Sequence, residues 1–108
     1  MSEFRHINAS ELLSMLDEDT ARIVDIRDTM SFQQGHISGA THLDNSTLEQ
    51  FIASADPEQA LVVCCYHGNS SQQAAAYLNS RGFRQTYSLD GGFALWGSAY
   101  PDRVEVSS

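Results

Sequence analysis

The chain has 108 residues, 42% of them hydrophobic, a composition that suits one globular domain, residues 1–108, with a single core. Its 14 acidic residues and 6 basic residues, all of them arginine, give a formal net charge of −8. This balance argues against nucleic acid or an anionic membrane as a partner, because both require a basic surface. No apolar stretch approaches the ~18 residues of a membrane span, nothing resembles a signal peptide, and no disulfide framework is present. We therefore expect a cytoplasmic protein.

The first quarter of the chain predicts a strand, a helix and a second strand. Residues 4–7 are typical of a short strand, and residues 8–11 have the form of a capping box that opens a helix. In such a box, the side chains of Asn8 and Glu11 each accept the backbone N–H of the other residue. Residues 22–26 form a compact β-branched run, which favours a buried strand.

A charged cluster follows this second strand. Asp25, Arg27 and Asp28 lie where the strand leaves the sheet, and ligands collect at the carboxyl ends of strands in open α/β sheets. The alternative interpretation is an ion pair or a helix cap that holds the loop. We favour this structural role.

The segment after the cluster predicts a short helix and a loop. Thr29–Gln34 fits a helix that turns Met30 and Phe32 inward, and residues 36–40 follow as a loop between glycines. His36 in this loop has the chemistry of a base, but the sequence assigns it no partner. We interpret it as a structural hydrogen-bonding residue.

The rest of the chain continues the alternation. Further strands are predicted at residues 41–43, 60–64 and 85–89, and further helices at residues 46–52, 71–80 and 93–100. Residues 46–49 have the form of a second capping box, Trp96 is expected to be buried, and residues 102–108 are expected to fray. Short connections between alternating elements predict an α/β fold, with a mostly parallel five-stranded sheet covered by helices on both faces.

Residues 60–76 form the stretch around which the function is organised. An apolar β-branched run ends at a cysteine and a helix-forming sequence begins, which predicts a strand, a tight loop and a helix. Gly68 adopts positive φ without steric cost and Asn69 tolerates it, so Cys65 to Ser70 can close a small arc. The N–H groups of the arc and of the first helical turn then converge on the Cys65 sulfur. They favour a thiolate over a thiol, whose pKa in water is about 8.5, so Cys65 is the candidate nucleophile.

The adjacent Cys64 is expected to have a different role. Side chains alternate along a strand, so Cys64 and Cys65 point to opposite faces, and Cys64 is interpreted as a small buried hydrophobe. A disulfide between neighbours is disfavoured because their Cα atoms lie ~3.8 Å apart, below the usual disulfide range. Two adjacent cysteines also lack the four ligands of a zinc site. No metal or cofactor is expected.

The motifs, taken together, resemble those of a rhodanese domain, and the resemblance covers nearly the whole chain. They are Asp-Ile-Arg-Asp at 25–28, Phe32 with Gly-His-Ile-Ser-Gly-Ala at 35–40, Cys-Tyr-His-Gly-Asn-Ser at 65–70, and Leu-Asp-Gly-Gly-Phe-Ala-Leu-Trp at 89–96. Each motif alone is a weak signal, whereas four in the same order form a strong one. The loop is similar to that of the single-domain bacterial thiosulfate sulfurtransferases within this family.

The resemblance implies a thiosulfate sulfurtransferase that works by double displacement. Cys65 accepts the outer sulfur of thiosulfate, becomes a persulfide, and passes that sulfur to cyanide or to a dithiol acceptor such as thioredoxin. The charged outer sulfur is expected to be held by backbone N–H groups, with no base or metal required. The cradle residues are Tyr66, His67, Gly68, Asn69, Ser70 and Ser71.

One feature of the loop departs from the family. Members often carry Arg or Lys there, and this sequence has neither, so His67 is the only loop side chain able to carry positive charge. His67 either helps to attract thiosulfate or simply faces outward. The departure predicts weak binding of thiosulfate.

Three other functions are alternatives to sulfur transfer. A cysteine phosphatase or arsenate reductase needs an arginine six places after the cysteine, and Ser71 stands there. A non-catalytic rhodanese-like binding module commonly lacks the loop cysteine, which this chain retains. A peroxide or disulfide sensor lacks a resolving cysteine.

Overall fold

The computed structural model describes residues 4–106, over which strands and helices alternate. The strands are β1 (Arg5–Ile7), β2 (Ala21–Asp25), β3 (His36–Ile37), β4 (Thr41–His42), β5 (Ala60–Cys64), β6 (Thr86–Leu89) and β7 (Val104–Glu105). The α-helices are α1 (Ala9–Asp17), α2 (Thr29–Gln34), α3 (Leu48–Ser54), α4 (Ser70–Ser80) and α5 (Gly92–Ala99). A 3₁₀ turn at Pro101–Arg103 joins α5 to β7.

Five strands form one parallel sheet in the order β1-β6-β5-β2-β4. Strand β5 is central, and all five of its residues are buried because both faces of the sheet are covered. The prediction of a parallel five-stranded sheet with helices is therefore confirmed. The carboxyl end of β5, where Cys65 follows, opens at the same edge as the ends of β2 and β6.

The sequence predicts a single core, but the structure has two hydrophobic clusters, one on each face of the sheet. On one face, Leu12 of α1 and Trp96 of α5 pack in the same cluster as Cys64, and Trp96 is buried as expected. On the other face, Phe51 of α3 and Ala75 of α4 pack against the sheet. The small Ala75 lets α4 lie close to β5 and β6. The position of α4 places its amino terminus beside the cysteine loop.

The two predicted capping boxes have different outcomes. At α1, Asn8 Oδ1 accepts the N–H of Glu11 and Glu11 Oε1 accepts the N–H of Asn8, which confirms the first. The second is wrong, because Thr47 caps α3 without a side-chain hydrogen bond. Asp44 instead orders this turn, its Oδ1 accepting the N–H groups of Ser46 and Thr47.

Helix α2 has the predicted bounds but not the predicted inward face. Met30 is 67% exposed, so its expected inward position is wrong. The six-residue helix runs at the periphery of the sheet and contains no fully buried residue. Phe32 is partly buried and stacks on His36, with ring centroids 3.9 Å apart.

The C-terminal segment, which the sequence predicts to fray, contains a strand pairing at Val104–Glu105. Strand β7 pairs antiparallel with β3 in a separate two-stranded sheet. Next to it, the Arg103 carbonyl accepts hydrogen bonds from Ser38 N–H and from Trp96 Nε1–H. These contacts tie the segment to the core, while the last two residues of the predicted tail lie outside the described part of the chain. Across residues 4–106, no helix has the length and apolarity to cross a membrane.

Candidate active site at the cysteine loop

The cysteine loop joins the carboxyl end of β5 to the start of α4. Its turn depends on Gly68, which has φ of +90° and is buried. A Cβ at this position would lie 3.0 Å from the Leu89 carbonyl oxygen and from the Gly91 nitrogen. The loop therefore needs glycine both for its backbone conformation and for its close approach to the turn after β6.

The Cys65 sulfur lies at the focus of this loop. The N–H groups of Gly68 and Ser71 donate hydrogen bonds to Sγ, with N···S distances of 3.1 Å and 3.3 Å. Ser71 Oγ lies 3.3 Å from the same sulfur. Cys65 is 5% exposed, so the thiol is largely enclosed but surrounded by hydrogen-bond donors. Two of the amides that the sequence predicts around the sulfur, those of Gly68 and Ser71, therefore donate to it.

The two cysteines have opposite acid–base properties. Burial acts to raise the pKa of the Cys65 thiol, but hydrogen bonds from the Ser71 side chain and from the N–H groups of Ser71, Gly68 and His67 together lower it below its ordinary value. For Cys64, burial and the nearby Asp25 carboxylate raise the pKa far above the ordinary value. Cys64 is fully buried, which confirms its role as a core residue. Ionisation is thus favoured at Cys65 and opposed at Cys64.

The remaining predicted cradle residues line the rim of the loop. Among the described residues, the amides of Tyr66, Asn69 and Ser70 make no hydrogen bond to Sγ, so they stay predicted contacts of an outer sulfur atom. The side chains of Tyr66, His67, Asn69 and Ser70 are exposed. The turn is braced instead by Gln72, whose Nε2 donates to the Gly68 carbonyl at 2.9 Å.

The amino terminus of α5 holds the first half of the loop. Phe93 N–H donates to the Cys65 carbonyl at 2.8 Å, and Ala94 N–H donates to the Tyr66 carbonyl at 3.0 Å. These bonds use helix N–H groups that have no partner within the helix. Gly92 precedes them, and a Cβ there would lie 2.4 Å from the Cys65 oxygen. Gly92, the first residue of α5, therefore allows the helix to lie against the cysteine loop.

Gly92→Ala is expected to displace the loop and to lower sulfur transfer by at least about tenfold. Its Cβ would overlap two backbone carbonyls, and φ of +57° is strained for alanine, so we expect unfolding to become easier by about 3 kcal/mol. Urea denaturation and sulfur-transfer assays measure the two effects. The matched control is Gly39→Ala, which has φ of +85° but open space around the added Cβ. Equal losses in both variants would contradict the role assigned to the close approach.

The charged cluster after β2 has the structural role that we favoured. Arg27 Nη2 lies 2.7 Å from Asp25 Oδ2, both side chains are buried, and the same nitrogen donates to the Gly35 carbonyl. Asp28 caps α2 by accepting the N–H of Ser31. The guanidinium of Arg27 packs over the Phe93 ring, 4.2 Å from its centroid. Arg27 thus ties the end of β2 to Gly35 and to Phe93, and its charge is paired with that of Asp25.

His36 is also structural, in agreement with the sequence interpretation. Its Nδ1 lies 2.9 Å from the Phe32 carbonyl oxygen, and the residue is 6% exposed. It lies in β3 rather than in a loop. In the part of the chain that the structure describes, no three His, Cys, Asp or Glu side chains are arranged to hold a metal ion.

Sequence reasoning missed two hydroxyl groups near the sulfur. Ser71 was expected to contribute only its backbone N–H, and Ser88 was not singled out. Ser71 Oγ lies 2.7 Å from Ser88 Oγ, and both residues are fully buried. The one available signal was a serine within the otherwise buried strand β6, which marks a hydroxyl that needs a partner inside the fold.

Comparisons with known proteins show which family this chain resembles. Residues 8–99 match the family model described as a rhodanese-like domain. The chain is 54% identical over 105 residues to "Thiosulfate sulfurtransferase GlpE" of Stutzerimonas stutzeri strain A1501, covering 97% of this chain and 95% of that protein. It is 52% identical over 108 residues to the protein of the same name in Ectopseudomonas mendocina strain ymp, covering 100% and 98%.

Solved structures show the same architecture. The Alr3790 protein from Anabaena sp. superposes with a TM-score of 0.83 at 28% identity, over 94% of this chain and 80% of that chain. A rhodanese-like domain protein from Staphylococcus aureus shares the fold, with a TM-score of 0.82 over 97% of this chain and 100% of that chain. With the family model matched over most of its length and relatives above 50% identity, this chain belongs to the rhodanese family.

Proposed function

We propose that this chain is a thiosulfate sulfurtransferase in which Cys65 carries the transferred sulfur as a persulfide. The observation that carries the proposal is the pair of N–H groups, from Gly68 and Ser71, that donate to Cys65 Sγ. They favour the thiolate, which is the nucleophilic form of cysteine. The names of the relatives, more than 50% identical over nearly the whole chain, support thiosulfate as the donor.

The proposed reaction proceeds in two displacements. The Cys65 thiolate attacks the outer sulfur of thiosulfate, a new S–S bond forms, and the old S–S bond breaks as sulfite leaves with its electron pair. A thiophilic nucleophile such as cyanide then attacks the outer sulfur of the persulfide. The bond to Sγ breaks, thiocyanate leaves, and the thiolate is regenerated. Each step transfers one sulfur atom and consumes no external oxidant or reductant.

The residues from Tyr66 to Ser71 are proposed as the cradle for the outer sulfur. Their backbone N–H groups provide partial positive charge in a loop that contains neither arginine nor lysine. Arg27, whose guanidinium lies near Tyr66, forms an ion pair with Asp25. Thiosulfate carries two negative charges and the chain carries a formal −8, so we expect thiosulfate to bind weakly.

The sulfur acceptor is proposed to be a small thiol, a dithiol protein such as thioredoxin, or cyanide in the assay. Each supplies a soft nucleophile for the second displacement. We further propose that residues 1–108 act as one catalytic domain in the cytoplasm. An acidic chain with two free cysteines fits a reducing compartment.

Mass spectrometry of the intact chain tests the proposal. After reduction, incubation with thiosulfate and removal of the reagent, the chain is expected to be heavier by one sulfur atom. Cyanide is expected to remove that atom and yield thiocyanate. Peptide mapping before cyanide treatment is expected to place the sulfur on Cys65.

Two outcomes would overturn sulfur transfer. An unchanged mass at high thiosulfate would favour the non-catalytic binding module. Hydrolysis of an aryl phosphate at a rate that depends on Cys65 would favour the phosphatase, despite Ser71 in the place of its arginine.

A further inference from the structure

Three side chains from three elements form a continuous buried chain of hydrogen-bonding groups at the sulfur. Ser88 on β6 lies with its Oγ 2.7 Å from the Oγ of Ser71 in the first turn of α4. Ser71 Oγ in turn lies 3.3 Å from Cys65 Sγ. Both serines have an exposed fraction of 0%. Water is therefore unable to compete for either hydroxyl.

The direction of this hydrogen-bond chain follows from its hydrogens. Among residues 4–106, neither hydroxyl makes a further hydrogen bond. The two O–H groups therefore have only two contacts to fill, the one between the serine oxygens and the one between Ser71 Oγ and Cys65 Sγ. When Cys65 is a thiolate, its sulfur has no hydrogen and acts only as an acceptor. Donation from Ser88 to Ser71 and from Ser71 to the sulfur then gives both hydroxyl hydrogens an acceptor. In the opposite direction the Ser88 hydrogen has none, and an unsatisfied buried donor is costly. The geometry therefore aims the Ser71 hydroxyl hydrogen at the Cys65 thiolate.

We propose that the Ser71 hydroxyl is a third hydrogen-bond donor to the reacting Cys65 sulfur, and that Ser88 is the positioning residue that holds this donor in place. The inference rests on the proposed function in taking Cys65 as the nucleophile. It adds a side-chain donor to a cradle otherwise made of backbone. Hydrogen bonds to an ionised group are the strong ones, so Ser71 stabilises the thiolate more than the thiol.

The same donor serves both half-reactions. The thiolate is the attacking group when thiosulfate is cleaved and the leaving group when the acceptor takes the sulfur. In both transition states, negative charge lies partly on Sγ, at the atom that Ser71 faces. Ser88 touches neither sulfur nor substrate and acts only through the Ser71 hydroxyl.

The other ionisable groups near the loop do not take over the stabilisation of the Cys65 thiolate by the Ser71 hydroxyl. Those around it are Cys64, Tyr66, His67, Arg27 and Asp90. Arg27 is paired with Asp25, Asp90 with His6, and the buried Cys64 stays a thiol. Tyr66 and His67 are exposed to solvent, which screens them. Substitution of either serine leaves all of these charges unchanged.

The test is the pH dependence of Cys65 alkylation by iodoacetamide, followed by intact mass in the absence of thiosulfate. In Ser71→Ala, which keeps the backbone N–H, the apparent pKa of Cys65 is expected to rise by about one, a tenfold loss of thiolate at low pH. Ser88→Ala is expected to raise it by about half as much. The double variant is expected to match Ser71→Ala alone, because Ser88 acts through Ser71.

A matched control separates this role from a general loss of packing. Thr86→Val removes another buried hydroxyl from the same strand and the same face as Ser88, but its Oγ1 bonds the Phe83 carbonyl. It is expected to leave the alkylation profile unchanged, and thermal unfolding checks that all variants fold.

Three results would each overturn the inference: an unchanged profile in Ser71→Ala, an equal change in Thr86→Val, or additive changes in the double variant. Because alkylation needs no thiosulfate, these results are independent of whether the chain transfers sulfur. Failure of the wild-type chain to gain sulfur would refute the proposed function alone.

Discussion

Cys65→Ser is expected to lower sulfur transfer from thiosulfate to cyanide by at least about 10³-fold and to abolish the gain of a sulfur atom in the intact mass. Serine is similar to cysteine in shape and keeps a hydrogen-bonding group at residue 65. A serine hydroxyl, however, is not ionised at neutral pH and does not form a persulfide. Thiocyanate production measures the rate, and mass spectrometry measures the intermediate.

Cys64→Ala is the matched control for this variant. Its thiol is fully buried in the core with Leu12 and Trp96, and its pKa is raised, so it takes no part in the chemistry. We expect near wild-type transfer and a loss of stability of about 1 kcal/mol from the small cavity. If the sulfur atom were instead lost in Cys64→Ala and kept in Cys65→Ser, the assignment of the nucleophile would be wrong.

Arg27→Met is expected to produce the largest loss of folding stability, about 3 to 5 kcal/mol. The Asp25 carboxylate is fully buried, and Arg27 donates to both of its oxygens through Nε and to Oδ2 through Nη2. Methionine fills much of the same volume but leaves the carboxylate without its partner. Urea unfolding of the folded variant, or its failure to accumulate, measures the effect.

Two further variants define the origin of that loss. Arg81→Met removes an exposed bidentate pair with Glu49 and is expected to cost far less, because solvent screens that pair. Removing both buried charges, in Asp25→Leu with Arg27→Met, is expected to restore part of the stability. A loss in Arg27→Met no larger than that in Arg81→Met would show that the buried pair contributes no more to folding stability than the exposed pair.

Local signals in the sequence predict most of the fold and the centre of the site. The capping box at Asn8 needs only four adjacent residues, and the change from the β-branched run to the α4 sequence marks the cysteine loop directly. The opposite roles of Cys64 and Cys65 follow from the alternation of side chains along β5. In each case the interacting groups are neighbours in the chain.

The features that the sequence does not predict depend on distant residues. Strand β7 is ordered by β3, and Glu105 accepts the N–H of Gly39 across a separation of 66 residues. The contact between Ser71 and Ser88 spans 17 residues and depends on how α4 packs on β6. At α3, residues 46–49 have the form of a capping box, yet the Ser46 N–H donates to Asp44 rather than to Glu49. The sequence pattern alone does not show which of several nearby side chains accepts a given N–H group.

The donors that point at the Cys65 sulfur are mainly amides, whereas the side chains of Tyr66, His67 and Asn69 face outward. The groups that surround the reactive sulfur therefore belong mainly to the backbone. The groups at the rim, which an incoming molecule meets first, are side chains. Exchange of the rim side chains is therefore expected to alter access to the sulfur while the backbone donors of Gly68 and Ser71 stay in place.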